Sequence, residues 1–208
     1  MAGKRNYDDP CGMARALDIV GERWALHVVR ELLLGPKRFS DLVRSLPAVS
    51  QNVLSQRLRE LAEAGVLHRR RMGPPVSANV YELTDRGQEL RPVVIELARW
   101  GSRLATTAVG ELSADALAIA MLTTYDGMAK DALIELRLGE ERFRAEIRDG
   151  RFDITRAETP HADAVITTDA AALRSVVFGG RPLDPSAVTG DLDAAQAFVR
   201  HFPRPAIT

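Results

Sequence analysis

Apolar residues recur every three or four positions through the first hundred residues and at every second position through much of the remainder, so a helical half precedes a half that contains a sheet. Over residues 11–20, Met13, Leu17 and Val20 share one helical face, and Gly21 follows as a stop. Residues 24–34 set Trp24, Leu26, Val28, Val29, Leu32 and Leu33 around a broad face closed by Gly35 and Pro36, the pattern of a buried central helix. Ser40 is predicted to cap a short helix with Leu42, Val43 and Leu46 inward and Pro47 at its end. Ser50 then opens a longer helix, in which Val53, Leu54, Leu58 and Leu61 form the apolar stripe and Gly65 the C-terminal cap. Two helices so closely joined predict a helix-turn-helix. Strands are predicted over 66–72 and 80–84, and the Gly, Pro and Asn residues between them make a hairpin with a long tip, a wing. Asp85, with Gln88 at the third helical position, predicts a capped helix continuing through Ala108, its start kinked or delayed by Pro92. Leu90, Val93, Val94, Leu97, Trp100 and Leu104 give that helix more apolar surface than a peripheral element needs, so it is expected to have a partner.

After Gly110 the pattern changes. Ser113 caps an Ala-rich helix, and residues 133–138, 142–149 and 151–157 then alternate apolar with polar. These predict antiparallel strands turning at Gly139-Glu140 and at Asp149-Gly150, the second a strong hairpin signal. A fourth strand over 163–168 and helices over 169–178 and 192–202 complete the pattern. The expected fold class is α+β: an N-terminal winged helix-turn-helix over 1–110, then a small α+β domain with a mainly antiparallel sheet over 111–208.

Composition supports packed domains, with 46% hydrophobic and 27% charged residues. A formal net charge of zero argues against a nucleic-acid partner until the chain is divided. Residues 1–108 hold 17 Lys plus Arg against 12 Asp plus Glu, and the remainder holds 11 against 16. The first half is therefore the one suited to a polyanion. The single cysteine, Cys11, excludes an intrachain disulfide and suits a reducing compartment. The opening residues are polar and no apolar run approaches the roughly 18 residues of a membrane helix, so the expectation is a cytoplasmic protein with no membrane partner.

The polar face of the helix opened by Ser50 carries Gln51, Asn52, Ser55, Gln56 and Arg59. Gln and Asn can pair with adenine in two bonds, Arg with guanine and Ser with either, so these are side chains suited to base edges, and carboxylates enter only later, at Glu60 and Glu63. A solvated helix face is the alternative. Arg69, Arg70 and Arg71 lie on the first wing strand, where alternate members reach phosphates, and Lys37 and Arg38 are candidates for the opposite flank. Double-stranded DNA is the expected partner.

The run from ALDIVGERW through RFSDL, the Ser50-Gln51 start and LRELAEAG, followed by YELTDRG, resembles the HxlR-type winged-helix family of bacterial regulators over roughly the first half of the chain. That resemblance implies a homodimer built from the first helix and the helix over 85–108, bound to a palindromic site. It also places Cys11 where some members sense oxidants or electrophiles. The helix N-terminus would favour the thiolate, while a small apolar residue at the dimer interface is the plainer role. The family commonly has Cys-Pro here, whereas this chain has Cys11-Gly12.

Most of 112–202 resembles the sterol-carrier-protein type-two fold, chiefly through DVITTD-like DAVITTD and the later Gly190-Asp191-Leu192. The resemblance implies an apolar tunnel, for which Phe143, Ile147, Phe152, Ile154, Leu173, Val177, Phe178 and Phe198 are the candidate lining, and a hydrophobic small molecule as partner. The alternative is that these residues pack a core. No enzyme is expected. His27, His68, His161 and His201 are scattered, and no H-E-x-x-H, C-x-x-C, Gly-rich phosphate loop or G-x-S-x-G occurs. His161 and Asp163 lack companions for a metal, so no metal, cofactor or catalytic residue is assigned. A winged-helix adaptor for protein contacts is the remaining alternative.

Overall fold

The structure, a computed structural model, describes residues 7–73, 78–105, 110–204 and 206–207. Packing divides the chain into two compact units, Met1–Val94 and Ile95–Thr208.

In the first unit, α1 (Gly12–Val20) and α2 (Ala25–Leu32) are followed by β1 (Lys37–Arg38), α3 (Phe39–Ser45) and α4 (Gln51–Glu63). The strands β2 (Leu67–Arg71) and β3 (Asn79–Leu83) come next, then α5 (Asp85–Gln88) and the start of α6 (Arg91–Gly101). Leu32, Leu42, Leu54, Leu58 and Leu61 are fully buried among the helices, as the apolar spacing predicts. The sheet runs β1-β3-β2, all antiparallel, with Arg69 opposite Tyr81 and Lys37 opposite Tyr81 on the other side. This is a winged helix-turn-helix. The wing tip at 74–77 lies outside the described residues.

Several local expectations are corrected. Met13 does not pack inward: it is 71% exposed, and the buried positions of α1 are Ala14 and Val20. Helix α2 starts at Ala25 because Trp24, its N-cap, takes a left-handed φ of 78°. Helix α3 starts one residue before the predicted cap Ser40, with the Arg38 N–H donating to Asp41 Oδ2 at 3.1 Å. The predicted helix from Asp85 is two helices. Thr84 caps the first, its Oγ1 accepting from the Gly87 N–H at 3.1 Å, and Pro92, which has no N–H to give, sits in the first turn of the second. The predicted extension to Ala108 runs into residues 106–109, outside the described residues.

The second unit opens its own core with α7 (Ala114–Thr124), capped by Ser113 Oγ, which accepts from the Ala116 N–H at 3.0 Å. Strands β4 (Ala132–Leu138), β5 (Glu141–Arg148), β6 (Arg151–Thr155), β7 (Ala164–Thr168) and β8 (Val188–Gly190) make a sheet in the order β6-β5-β4-β7-β8. Only the β4–β7 pair is parallel. Asp149 and Gly150 both take positive φ, 52° and 70°, in the predicted hairpin turn. Helix α8 (Ala170–Val177) is capped by Asp169 and α9 (Leu192–Val199) by Asp191. The short strands β1 and β8 are too brief to show a period in the sequence. Register places Ile154, Ala145, Ile134 and Ala164 in one row across the sheet, with Phe152 and Ile147 in the row on one side and Phe143, Leu136 and Ile166 in the row on the other. That inner face is the core of the unit.

Candidate nucleic-acid interface

The turn between α3 and α4 is pulled inward by Leu46 and Val49, both buried, with the Val49 N–H donating to the Leu46 carbonyl at 3.0 Å. Ser50 caps α4, its Oγ accepting from the Val53 N–H at 3.4 Å. With Leu54, Leu58 and Leu61 turned into the core, the helical period forces Gln51, Asn52, Gln56 and Arg59 outward, and all four are exposed; Ser50 is exposed and Ser55 half-buried. The structure therefore brings the six sequence-predicted residues of this helix onto one accessible surface.

The arginines of the wing divide by strand alternation. Arg69 and Arg71 share one face of β2, opposite Tyr81 and Asn79, and no carboxylate among the described residues pairs with either. Arg70 points to the other face, where its Nε donates to Glu82 Oε2 at 2.6 Å and its Nη2 to Glu82 Oε1 at 3.2 Å. His68 lies 3.6 Å from the same carboxylate. Arg70 is thus locally neutralised by Glu82. Arg38 is exposed.

Lys37 is corrected. It is 4% exposed, and its Nζ donates to Glu31 Oε2 at 2.9 Å and to Ser45 Oγ at 3.2 Å. Arg30 Nη2 holds the other Glu31 oxygen at 2.8 Å. Burial by itself would raise the Glu31 carboxyl, but the charges and hydrogen bonds of Lys37 and Arg30 hold it below the ordinary carboxylate value. Pairing with β3 turns Lys37 inward, so it joins α2, α3 and the wing and is absent from the outer surface. Arg57 flanks the polar face in the sequence and Glu60 follows it, but their bonds to one another and to Gln56 were not anticipated, and Glu82, which pairs with Arg70, was passed over. The i, i+4 spacing of Gln56 and Glu60 was the available signal.

Cys11 is exposed at the N-cap of α1, its N–H donating to Asp9 Oδ1 at 2.9 Å. The eight residues expected to line an apolar tunnel instead belong mainly to the core of the second unit. Phe143, Ile154 and Leu173 are fully buried, and Phe152 and Phe198 join Tyr125 and Phe202 in an aromatic cluster with ring centroids 4.9–6.0 Å apart. Ile147 and Phe198 reach the floor of one cavity of about 520 Å³, Val177 a second and Phe178 a third. The sheet packs against α7 and α9. Among the described residues no group of three or more His, Cys, Asp or Glu is placed to hold a metal ion, and no helix is long and apolar enough to cross a membrane.

A helix-turn-helix with an accessible amide-rich second helix, flanked by a three-stranded wing, defines a winged-helix DNA-binding regulator. The family model described as HxlR-like helix-turn-helix matches residues 19–108. The uncharacterized HTH-type transcriptional regulator YvaP of Bacillus subtilis (strain 168) is 39% identical over 89 residues, which are 42% of this chain and 82% of that protein. YkvN of the same organism, also named as an HTH-type transcriptional regulator, is 34% identical over 101 residues, 49% of this chain and 86% of that protein. A solved structure of the redox regulator HypR in its oxidized form is 30% identical, with 47% of this chain and all of that one covered at a TM-score of 0.44. The chain belongs to the HxlR-like helix-turn-helix family of transcriptional regulators. The family match ends at residue 108, and the second unit's core lies beyond it.

Proposed function

We propose that the protein regulates transcription as a homodimer that reads duplex DNA sequence with α4 and grips the backbone with its wing, residues 1–110 serving DNA binding and dimerisation and residues 111–208 a second role. The observation that carries this reading is the exposed row Gln51, Asn52, Gln56 and Arg59 on a helix whose opposite face is sealed into the core. Arg69 and Arg71, and on the other flank Arg38, supply phosphate contacts. Val93, Leu97, Trp100 and Leu104 are all exposed and follow one stripe along and just beyond α6, with Trp100 64% exposed. That stripe is the apolar surface a second copy would cover, and within the first unit Tyr7 and Met13 are exposed as well. Fluorescence anisotropy on genomic fragments selected by the full-length protein tests the reading. Affinity falls steeply with salt, Arg69→Ala or Arg71→Ala weakens all sequences alike, and Gln51→Ala or Asn52→Ala changes which sequences are preferred. Binding that is weak, salt-independent and indifferent to all four changes would leave the adaptor role instead.

For the second unit, a sterol-carrier-like role with a hydrophobic small molecule is supported by the cavity lined by Ile147, Phe198 and Met128, whose lining also includes Lys130, Asp131 and His201, so the ligand would carry a polar end. Mass spectrometry of the natively purified protein after organic extraction tests it, with an empty domain pointing to a structural role. The exposure of Cys11 at a helix start favours one further role, a thiol switch, which requires that Cys11→Ser abolish any loss of DNA binding caused by peroxide or quinone treatment.

A further inference from the structure

Gln56 sits in the middle of the exposed surface of α4, and its amide is held. Its Nε2 donates to Glu60 Oε1 at 2.9 Å, one turn along the helix. The other Glu60 oxygen accepts from Arg57 Nη1. Arg57 is itself buried, and its Nη2 lies 3.9 Å from Glu22 Oε2 in the turn between α1 and α2. A chain of polar contacts therefore runs from the first turn of the unit, through a buried guanidinium, to an amide at the surface.

The chemistry of the chain settles which way the amide faces. A carboxylate paired with a guanidinium only accepts, so Gln56 turns its nitrogen toward Glu60; the reversed amide would oppose two oxygens. One of the two amide hydrogens is consumed, which leaves one acceptor and one donor free. That combination complements the N6 amino group and N7 of adenine in the major groove.

We propose that Gln56 reads an adenine in the DNA site and that Glu60, backed by Arg57 and Glu22, is the positioning residue that fixes its amide for that base. The proposal rests on α4 being the base-reading helix. A free glutamine side chain must give up rotamers on binding and populates the reversed amide, which offers its donor where an acceptor is needed. Glu60 removes both losses before DNA arrives and touches no base itself.

Selection of DNA from a random pool by the full-length protein, followed by sequencing, tests this with Gln51→Ala, Asn52→Ala, Gln56→Ala, Glu60→Ala and Glu60→Gln, with melting temperature and salt slope measured on each. Gln56→Ala is expected to erase an adenine preference at one base pair. Glu60→Ala lowers the preference at that same pair about three- to tenfold, the factor one net hydrogen bond supplies, and leaves the salt slope unchanged. Glu60→Gln does not restore it, whatever either change does to the melting temperature: Arg57 takes the one remaining oxygen, so the new amide turns its N–H2 toward Gln56 and favours the reversed Gln56 amide. Loss of preference in Gln56→Ala with none in Glu60→Ala overturns the positioning role, as does a Glu60→Ala loss spread evenly over the site. If Gln51→Ala, Asn52→Ala and Gln56→Ala all leave every preference intact, α4 is not the reading helix and the inference falls with that assignment.

Discussion

Replacing Lys37 by methionine separates a structural ion from a DNA contact. In the native protein Glu31 is 0% exposed and holds Lys37 at 2.9 Å and Arg30 at 2.8 Å. At 2.9 Å and an effective dielectric of about 20, the Lys37–Glu31 attraction is on the order of 5–6 kcal/mol, and stripping one partner from a buried pair costs about 3–5 kcal/mol net. Arg30 remains on the second oxygen and is partly solvated, which sets the expected loss at the lower end, about 3 kcal/mol. In a domain of this size that lowers the melting temperature by roughly 12–24 °C. Calorimetry and urea unfolding measure the loss. Binding measured well below the melting point should keep its salt slope, because Lys37 meets no phosphate. Adding Glu31→Leu to Lys37→Met should recover much of the stability, since no carboxylate is then left buried without its lysine. A Lys37→Met protein that melts like the parent but loses about 0.9 from its salt slope would refute the reasoning and return Lys37 to the DNA surface.

Four further outcomes are expected. Arg69→Ala and Arg71→Ala each reduce the magnitude of the salt slope by about 0.9, and Arg70→Ala reduces it less because Glu82 already pairs with that side chain; titrations at several salt concentrations compare them. Because the Glu31 carboxyl is held below its ordinary value of 4.5, its contribution is intact above that value and is lost as pH falls through the lower folded value, so denaturant midpoints should drop on acidification and Glu31→Gln should flatten that fall. Gly87→Ala costs at least about 2 kcal/mol in unfolding experiments, since an added Cβ would stand 2.0 Å from the Val66 carbonyl oxygen and 3.1 Å from the Leu83 Cβ, forcing α5 away from the wing. Trp100→Glu places a charge in the exposed apolar stripe, and sedimentation should then show a monomer whose affinity for a full site is at least about a hundredfold weaker.

The helix-turn-helix, the wing, the α+β order of the second unit and the outward face of α4 were legible along the chain before any contact was known. Each of these follows from local period and from capping or turn residues such as Ser50, Ser113 and Gly150, whose preferences act within a few positions. The rest depended on contacts made across the fold. Lys37 and Arg38 are adjacent in sequence, yet strand pairing with β3 buries one and exposes the other. Three consecutive arginines read alike until alternation across the hairpin gives Arg70 a carboxylate and leaves Arg69 and Arg71 without one among the described residues. Phe143, Ile154 and Leu173 are as apolar as a tunnel lining would be, and only the fold, with the sheet register that sets Phe143 and Ile154 in adjacent rows, makes all three buried core. Hydropathy specifies that a side chain leaves water; which neighbour then satisfies its charge or fills its space is fixed by contacts between residues far apart in the chain.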